Sequence, residues 1–131
     1  MTEVPSLEAA HENTRFAILS HGTQEDPIYN YFNRAAMETF QYEPEEIYQL
    51  PSRKSAPPDL RVDRAALIQA SVERGFQVYT EAVRVTKHGQ LFQINEGLLW
   101  NVYDNEGNRV GQTALFDRNK VVPLEGNEKV S

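Results

Sequence analysis

The 131-residue chain contains no cysteine. Disulfide cross-links, thiolate metal sites, thiol nucleophiles and any chromophore tethered through sulfur are therefore excluded. Histidine is scarce as well. His11, His21 and His88 are scattered, with no pair at metal-ligand spacing. No P-loop, no G-x-G-x-x-G and no G-x-S-x-G is present. No apolar run approaches the roughly 20 residues of a membrane helix, and the N-terminus lacks a basic-then-apolar signal pattern. Basic residues are outnumbered: 13 Lys and Arg against 19 Asp and Glu leave a net charge of −6, with no basic block. Such a chain is a poor partner for nucleic acid or for an anionic membrane. The expected location is the cytoplasm.

What is present reads as one globular domain. Hydrophobic residues at 40% and charged residues at 24% separate it from disordered chains. The length supports a single core. Residues 1–15 form a mostly polar segment, a short helix with Ser6 as its cap or a loosely attached arm. Residues 16–118 carry the periodic elements, and 119–131 read as a polar tail.

Phe16 to Leu19 and Ile28 to Phe32 have strand composition. Asn33 is placed to cap a helix through Phe40, and Pro44 with Glu45 and Glu46 opens a second, shorter one. The proline-bracketed stretch from Ser52 to Pro58 is a constrained loop. Leu60 to Arg74 is a helix with Ala65, Ile68 and Val72 as its apolar stripe, and Gly75 suits the residue just past its end. The last third turns to strand periodicity. Phe76 to Lys87, then Phe92 to Val102, then Val110 to Phe116 are three strands, joined by a hairpin at Lys87 to Gln90 and a turn at Asp104 to Asn108. In the middle strand, strict alternation puts Phe92, Ile94, Glu96, Leu98, Trp100 and Val102 on one face. The expected fold class is α+β: a five-stranded antiparallel sheet with helices packed on one face.

The order of these residues resembles a PAS domain. The cues are Tyr31-x-Asn33-x-Ala35-Ala36, Phe40-x-Tyr42, Glu45-Glu46-Ile47, His88-Gly89, Asp104-x-x-Gly107 and Phe116-Asp117. A closer resemblance is to the MEKHLA domain, a PAS-related module. It rests on Leu19-Ser20-His21-Gly22-Thr23, Asp26-Pro27-Ile28-Tyr29-Asn30-Tyr31, Asn33-Arg34-Ala35-Ala36, Leu50-Pro51-Ser52-Arg53-x-Ser55-Ala56, Glu73-Arg74-Gly75-Phe76 and Trp100-Asn101-Val102-x-Asp104-x-x-Gly107-x-x-x-Gly111-Gln112. That family occurs at the C-terminus of plant homeodomain–leucine zipper transcription factors and as free-standing bacterial proteins, and this chain resembles the second kind. The resemblance implies sensing or protein interaction and no established catalytic reaction. It names no ligand. PAS domains that bind haem commonly supply a histidine from the long helix, and the absence of one in Leu60 to Arg74 argues against haem. The flavin-adduct type needs a cysteine where this chain has Ser52-Arg53-Lys54-Ser55, which excludes an adduct and leaves a noncovalent small ligand open.

A sheet curved over helices can hold a pocket with a few placed polar groups. The candidates are Asn30, Arg53, Ser55, Arg84, Glu96, Trp100 and Gln112. Glu96 shares an apolar face and needs a partner, with Arg84 one option; alternatively a bulge at Gly97 turns it to solvent. Arg53 is suited to a carboxylate or phosphate, or to pairing with Asp59 or Asp63. Trp100 either stacks on a planar ligand or packs the core. Gln112 offers an amide to a ligand edge or satisfies a backbone group. Asn30 either joins the site or ties down the loop after His21.

Two functional classes follow. The first is a non-catalytic sensory or interaction module that binds a small molecule or a protein. Homodimerisation would use the outer sheet face, with Leu7, Leu91, Leu99 and Tyr103. The second is a small NTF2-like enzyme in which Glu96, with His21 or Tyr31, moves a proton. A cup filled by side chains would shift the balance towards protein contacts.

Overall fold

The computed structural model describes residues 7–127. The chain forms α1 (Leu7–Glu12), β1 (Phe16–His21), β2 (Tyr29–Phe32), α2 (Arg34–Phe40), α3 (Pro44–Ile47), α4 (Arg61–Arg74), β3 (Phe76–Tyr79), β4 (Ala82–Val85), β5 (Gln90–Ile94), β6 (Gly97–Tyr103), β7 (Arg109–Asp117) and β8 (Val121–Asn127). Five strands make one sheet in the order β2-β1-β7-β6-β3, and every pairing in it is antiparallel. The expected α+β class and five-stranded sheet are therefore present. Ser6 lies outside the described residues.

Local chemistry sets the helix ends. Asn33 caps α2 by accepting from the Ala36 amide at 3.0 Å. The same carboxamide accepts from the Ile18 amide at 2.9 Å and donates to the carbonyls of Phe16 at 2.8 Å and Ala10 at 3.0 Å. One buried side chain thus joins α1, β1 and α2. Glu43 and Glu46 close a reciprocal capping box around Pro44. Gly75, at φ +92°, ends α4 in the left-handed conformation. The apolar stripe of α4 differs from the expected one: Ala65 is exposed, and the inward line runs through Arg64, Ile68 and the fully buried Ser71. Spacings of four and three put those residues on one face even though two of them are polar.

The last third departs most from simple alternation. The first two of its three long strands break, at Thr80-Glu81 and at Asn95-Glu96. Their outer halves, β4 and β5, pair with each other and leave the main sheet. β8 pairs with β5 on the other side, with Ile94 opposite Val121 and Phe92 opposite Pro123. Within the stretch expected to be a polar tail, Val121–Asn127 is therefore a strand. Its Val121-Val122-Pro123-Leu124 run is short, shows no alternation and is interrupted by a proline, so it does not announce a strand before β5 supplies a ladder for it.

The core lies between the helices and the main sheet. Phe40 is its centre, with ring centroids 5.9 Å from Phe32, 5.2 Å from Phe92 and 6.2 Å from Phe116, all edge-on. Among the described residues, no helix is long and apolar enough to cross a membrane.

Candidate functional site

The break at Asn95-Glu96 sets which residues reach the interior. Ile94 faces in, and the next inward residue is Gly97, so the phase slips by one across the corner. Gly97, Leu99 and Asn101 line the inner side, while Leu98, Trp100 and Val102 lie on the outer side. Gly97 is opposite Tyr79 on β3, and the tyrosine ring lies over it so closely that a Cβ there would collide with the ring.

Inside the cup, Tyr29 donates its hydroxyl to Ser55 Oγ at 3.0 Å, and Ser55 donates to the Ser52 carbonyl at 2.8 Å. Arg84 is directly opposite Phe92 across β4 and β5, so it points inward with that ring. Arg64 of α4 converges on the same space. Together with Tyr29, Ser55 and Tyr79, the two arginines border an inner cavity of about 30 Å³. That is about one water's share of liquid volume. Burial pushes the Tyr79 hydroxyl up to about 12, so it stays a proton donor at neutral pH.

His21 and Gln112 face each other across β1 and β7. His21 Nδ1 lies 2.9 Å from the Gly22 carbonyl, which can only accept, so Nδ1 carries a proton. Burial holds the imidazole below its ordinary pKa, with Arg64 and Arg109 adding to the effect. In the neutral ring Nε2 is then an acceptor, and the Gln112 amide 3.2 Å away must present its NH₂. The same orientation supplies an acceptor to an amide nitrogen that otherwise has none.

The structure brings Ser55 and Arg84 together and scatters most of the other candidates. Gln112 is buried nearby but bonded to His21. Asn30 is exposed on β2, with no side-chain hydrogen bond to tie down the loop after His21. Arg53 is exposed and pairs with Asp26, Nε to Oδ1 at 3.2 Å, rather than with Asp59 or Asp63. Glu96 sits on the corner, its side chain 63% exposed and 3.7 Å from Lys120, because the phase slip turns it outward and away from Arg84. Trp100 is on the outer face for the same reason. Leu99, expected outside, is buried inside. Neither acid/base pairing of the enzyme reading, Glu96 with His21 or Glu96 with Tyr31, assembles in the cup. Glu96 is at the corner, and Tyr31 is on the outer side, 3.0 Å from His11. Only His21 faces the core. Sequence reasoning missed Arg64 and Tyr79. The signal for Arg64 was a cation four residues before Ile68 on the helix's inward face.

The opposite side of the main sheet is apolar and open. Phe76 and Val78 of edge strand β3 are 47% and 53% exposed. They lie beside Trp100 and Leu98, their partners on β6. A hollow of about 360 Å³ in this face is bordered by Phe16, Val78, Leu98 and Leu115.

With the geometry in place, comparison with known proteins gives the class first. The fold is that of PAS domains. The PAS domain of a protein from Colwellia psychrerythraea superposes with a TM-score of 0.71 at 20% identity, covering 84% of this chain and 92% of that one. A light-oxygen-voltage domain studied with a flavin analogue gives 0.66 at 16%, covering 91% and 82%. An RNA-binding light-oxygen-voltage receptor gives 0.67 at 17% over 89% of this chain, which spans 37% of that receptor. No curated protein matches the chain. Residues 5–121 match the MEKHLA domain, and the chain belongs to that family. The inner cavity is roughly a tenth of the smallest usual ligand pocket.

Proposed function

We propose that this MEKHLA domain is a non-catalytic sensory module that works by protein association, with the outer face of the five-stranded sheet as its contact surface and a second copy as its first partner. One observation carries the reading: the inner cup is filled by side chains, while Phe76 and Val78 stand exposed on an apolar sheet face. An apolar stripe backed by a rigid sheet is a recurrent protein contact. The net charge of −6 supports a protein partner over direct nucleic-acid binding. Leu7 of α1, 92% exposed, extends the apolar surface on offer.

Sedimentation equilibrium over a wide concentration range tests the reading. The expected result is reversible self-association that Phe76→Glu and Val78→Lys each abolish, with far-UV circular dichroism unchanged. Emission from Trp100, the only tryptophan, shifts to the red as the dimer dissociates. A monomer at every concentration, with invariant Trp100 emission, overturns it.

A further inference from the structure

The side cleft where α4 meets the β3–β4 corner is bordered by two cations, Arg64 and Arg84, and two acids, Asp63 and Glu81, yet neither cation is ion-paired among the described residues. Its volume is about 320 Å³, and its walls include Leu60, Leu67 and Ala82. Arg64, Tyr79 and Arg84 border both this cleft and the small inner cavity, so they form the boundary between them.

Five of the nine arginines, Arg61, Arg64, Arg74, Arg84 and Arg109, hold no carboxylate among the described residues, and Arg61, Arg74 and Arg109 bond amide oxygens instead. Arg15, Arg34, Arg53 and Arg118 each hold a carboxylate. Among the described residues, no carboxylate lies within ion-pairing distance of Arg64 or Arg84. The Arg64 side chain makes no hydrogen bond there, and the Arg84 side chain makes one, donating Nη1 to the Val83 carbonyl at 2.7 Å. A guanidinium has five N–H donors, so most of those on Arg84 lack a protein acceptor. Its side chain is partly buried, and both burial and the nearby Arg64 disfavour its charged form. The Tyr79 hydroxyl is a third donor without a partner on the same boundary. Two cations on one partly buried boundary, neither ion-paired, are unfavourable until an anion joins them.

We propose that this cleft binds a small carboxylate, its head group held between Arg64 and Arg84 and its apolar remainder lying against Leu60, Leu67 and Ala82. A carboxylate is planar and accepts in the plane that a guanidinium fork offers. Asp63 and Glu81 also border the cleft, and their charge opposes polyphosphates. The cleft volume lies at the lower end of the usual range for small-molecule sites, and the inner cavity behind has room for about one water. This site is separate from the outer sheet face, so self-association and acid binding can fail independently.

The test is isothermal titration and thermal shift on the full chain at low ionic strength. The probes are acetate, benzoate and 3-phenylpropionate, the amides benzamide and 3-phenylpropionamide, and inorganic phosphate. The expected result is that at least one carboxylate binds with Kd below about 1 mM and raises Tm while its amide does not. Arg64→Gln and Arg84→Met each weaken that binding by about tenfold or more. Arg84→Met also raises the ligand-free Tm, because an apolar side chain replaces a partly buried cation that has no ion pair. If Arg84→Met does not fold, Arg64→Gln and the acid-against-amide comparison still decide. Carboxylates indistinguishable from their amides, undiminished binding in the folded variants, or phosphate binding tighter than every carboxylate would each overturn the proposal.

Discussion

Tyr79 lies across Gly97, its partner on the neighbouring antiparallel strand, and the ring fills space that any Cβ at position 97 would need. This contact follows directly from the phase slip at Asn95-Glu96. It also closes the cup, since Tyr79 is 8% exposed and borders the inner cavity.

Gly97→Ala is therefore expected to push the ring aside and destabilise the fold by about 1–3 kcal/mol, the usual cost of overpacking a closed site. Urea denaturation measures the loss. Equal stability in the variant would show that the ring moves without resistance.

Asn33→Ala removes the cap of α2 and leaves the Ile18 amide and the Phe16 and Ala10 carbonyls without their side-chain partner. Each buried group left unsatisfied costs about 1–3 kcal/mol, so the total expected loss is about 3 kcal/mol or more. Asn33→Asp keeps the acceptor and loses both donors, and it should fall between wild type and alanine. Hydrogen exchange at the Ile18 amide should accelerate in the alanine variant before exchange in β7 does.

His21 makes stability depend on pH. Its folded pKa lies below its unfolded value, so the unfolded chain binds the extra proton first. Stability is then full above about pH 6.5 and falls as pH drops below that value, by at most about 1.4 kcal/mol per pH unit. Arg64 of α4 and Arg109 of β7 oppose protonation, and Gln112 and the Gly22 carbonyl are its hydrogen-bond partners. His21→Gln should flatten this part of the profile in equilibrium unfolding between pH 7.5 and pH 5.5. An unchanged slope in the variant would assign the effect to other groups.

Much of the architecture was legible. Asn33 is a strong cap beside an apolar run, Gly75 follows a long helical stretch, and Asp104 to Asn108 is dense in turn formers. Each is a local signal of short range. The site was less legible. Strict alternation carried Glu96 and Trp100 inward, and one corner at Asn95-Glu96 reversed both assignments. β8 was unread because it depends on a partner strand supplied by β5.

The chain's own chemistry determined the helices and the first strands, their order, the absence of thiol chemistry and the family, because caps, turns and periodicity act over a few residues. Tertiary structure alone decided which face each side chain took beyond the corner, and that Arg64 and Arg84, twenty residues apart, would share one cleft with neither held in an ion pair. The physical reason is that a side chain's face depends on the count of residues through every bend. A bend is settled by long-range contacts such as Tyr79 over Gly97, and neighbouring residues carry no trace of them.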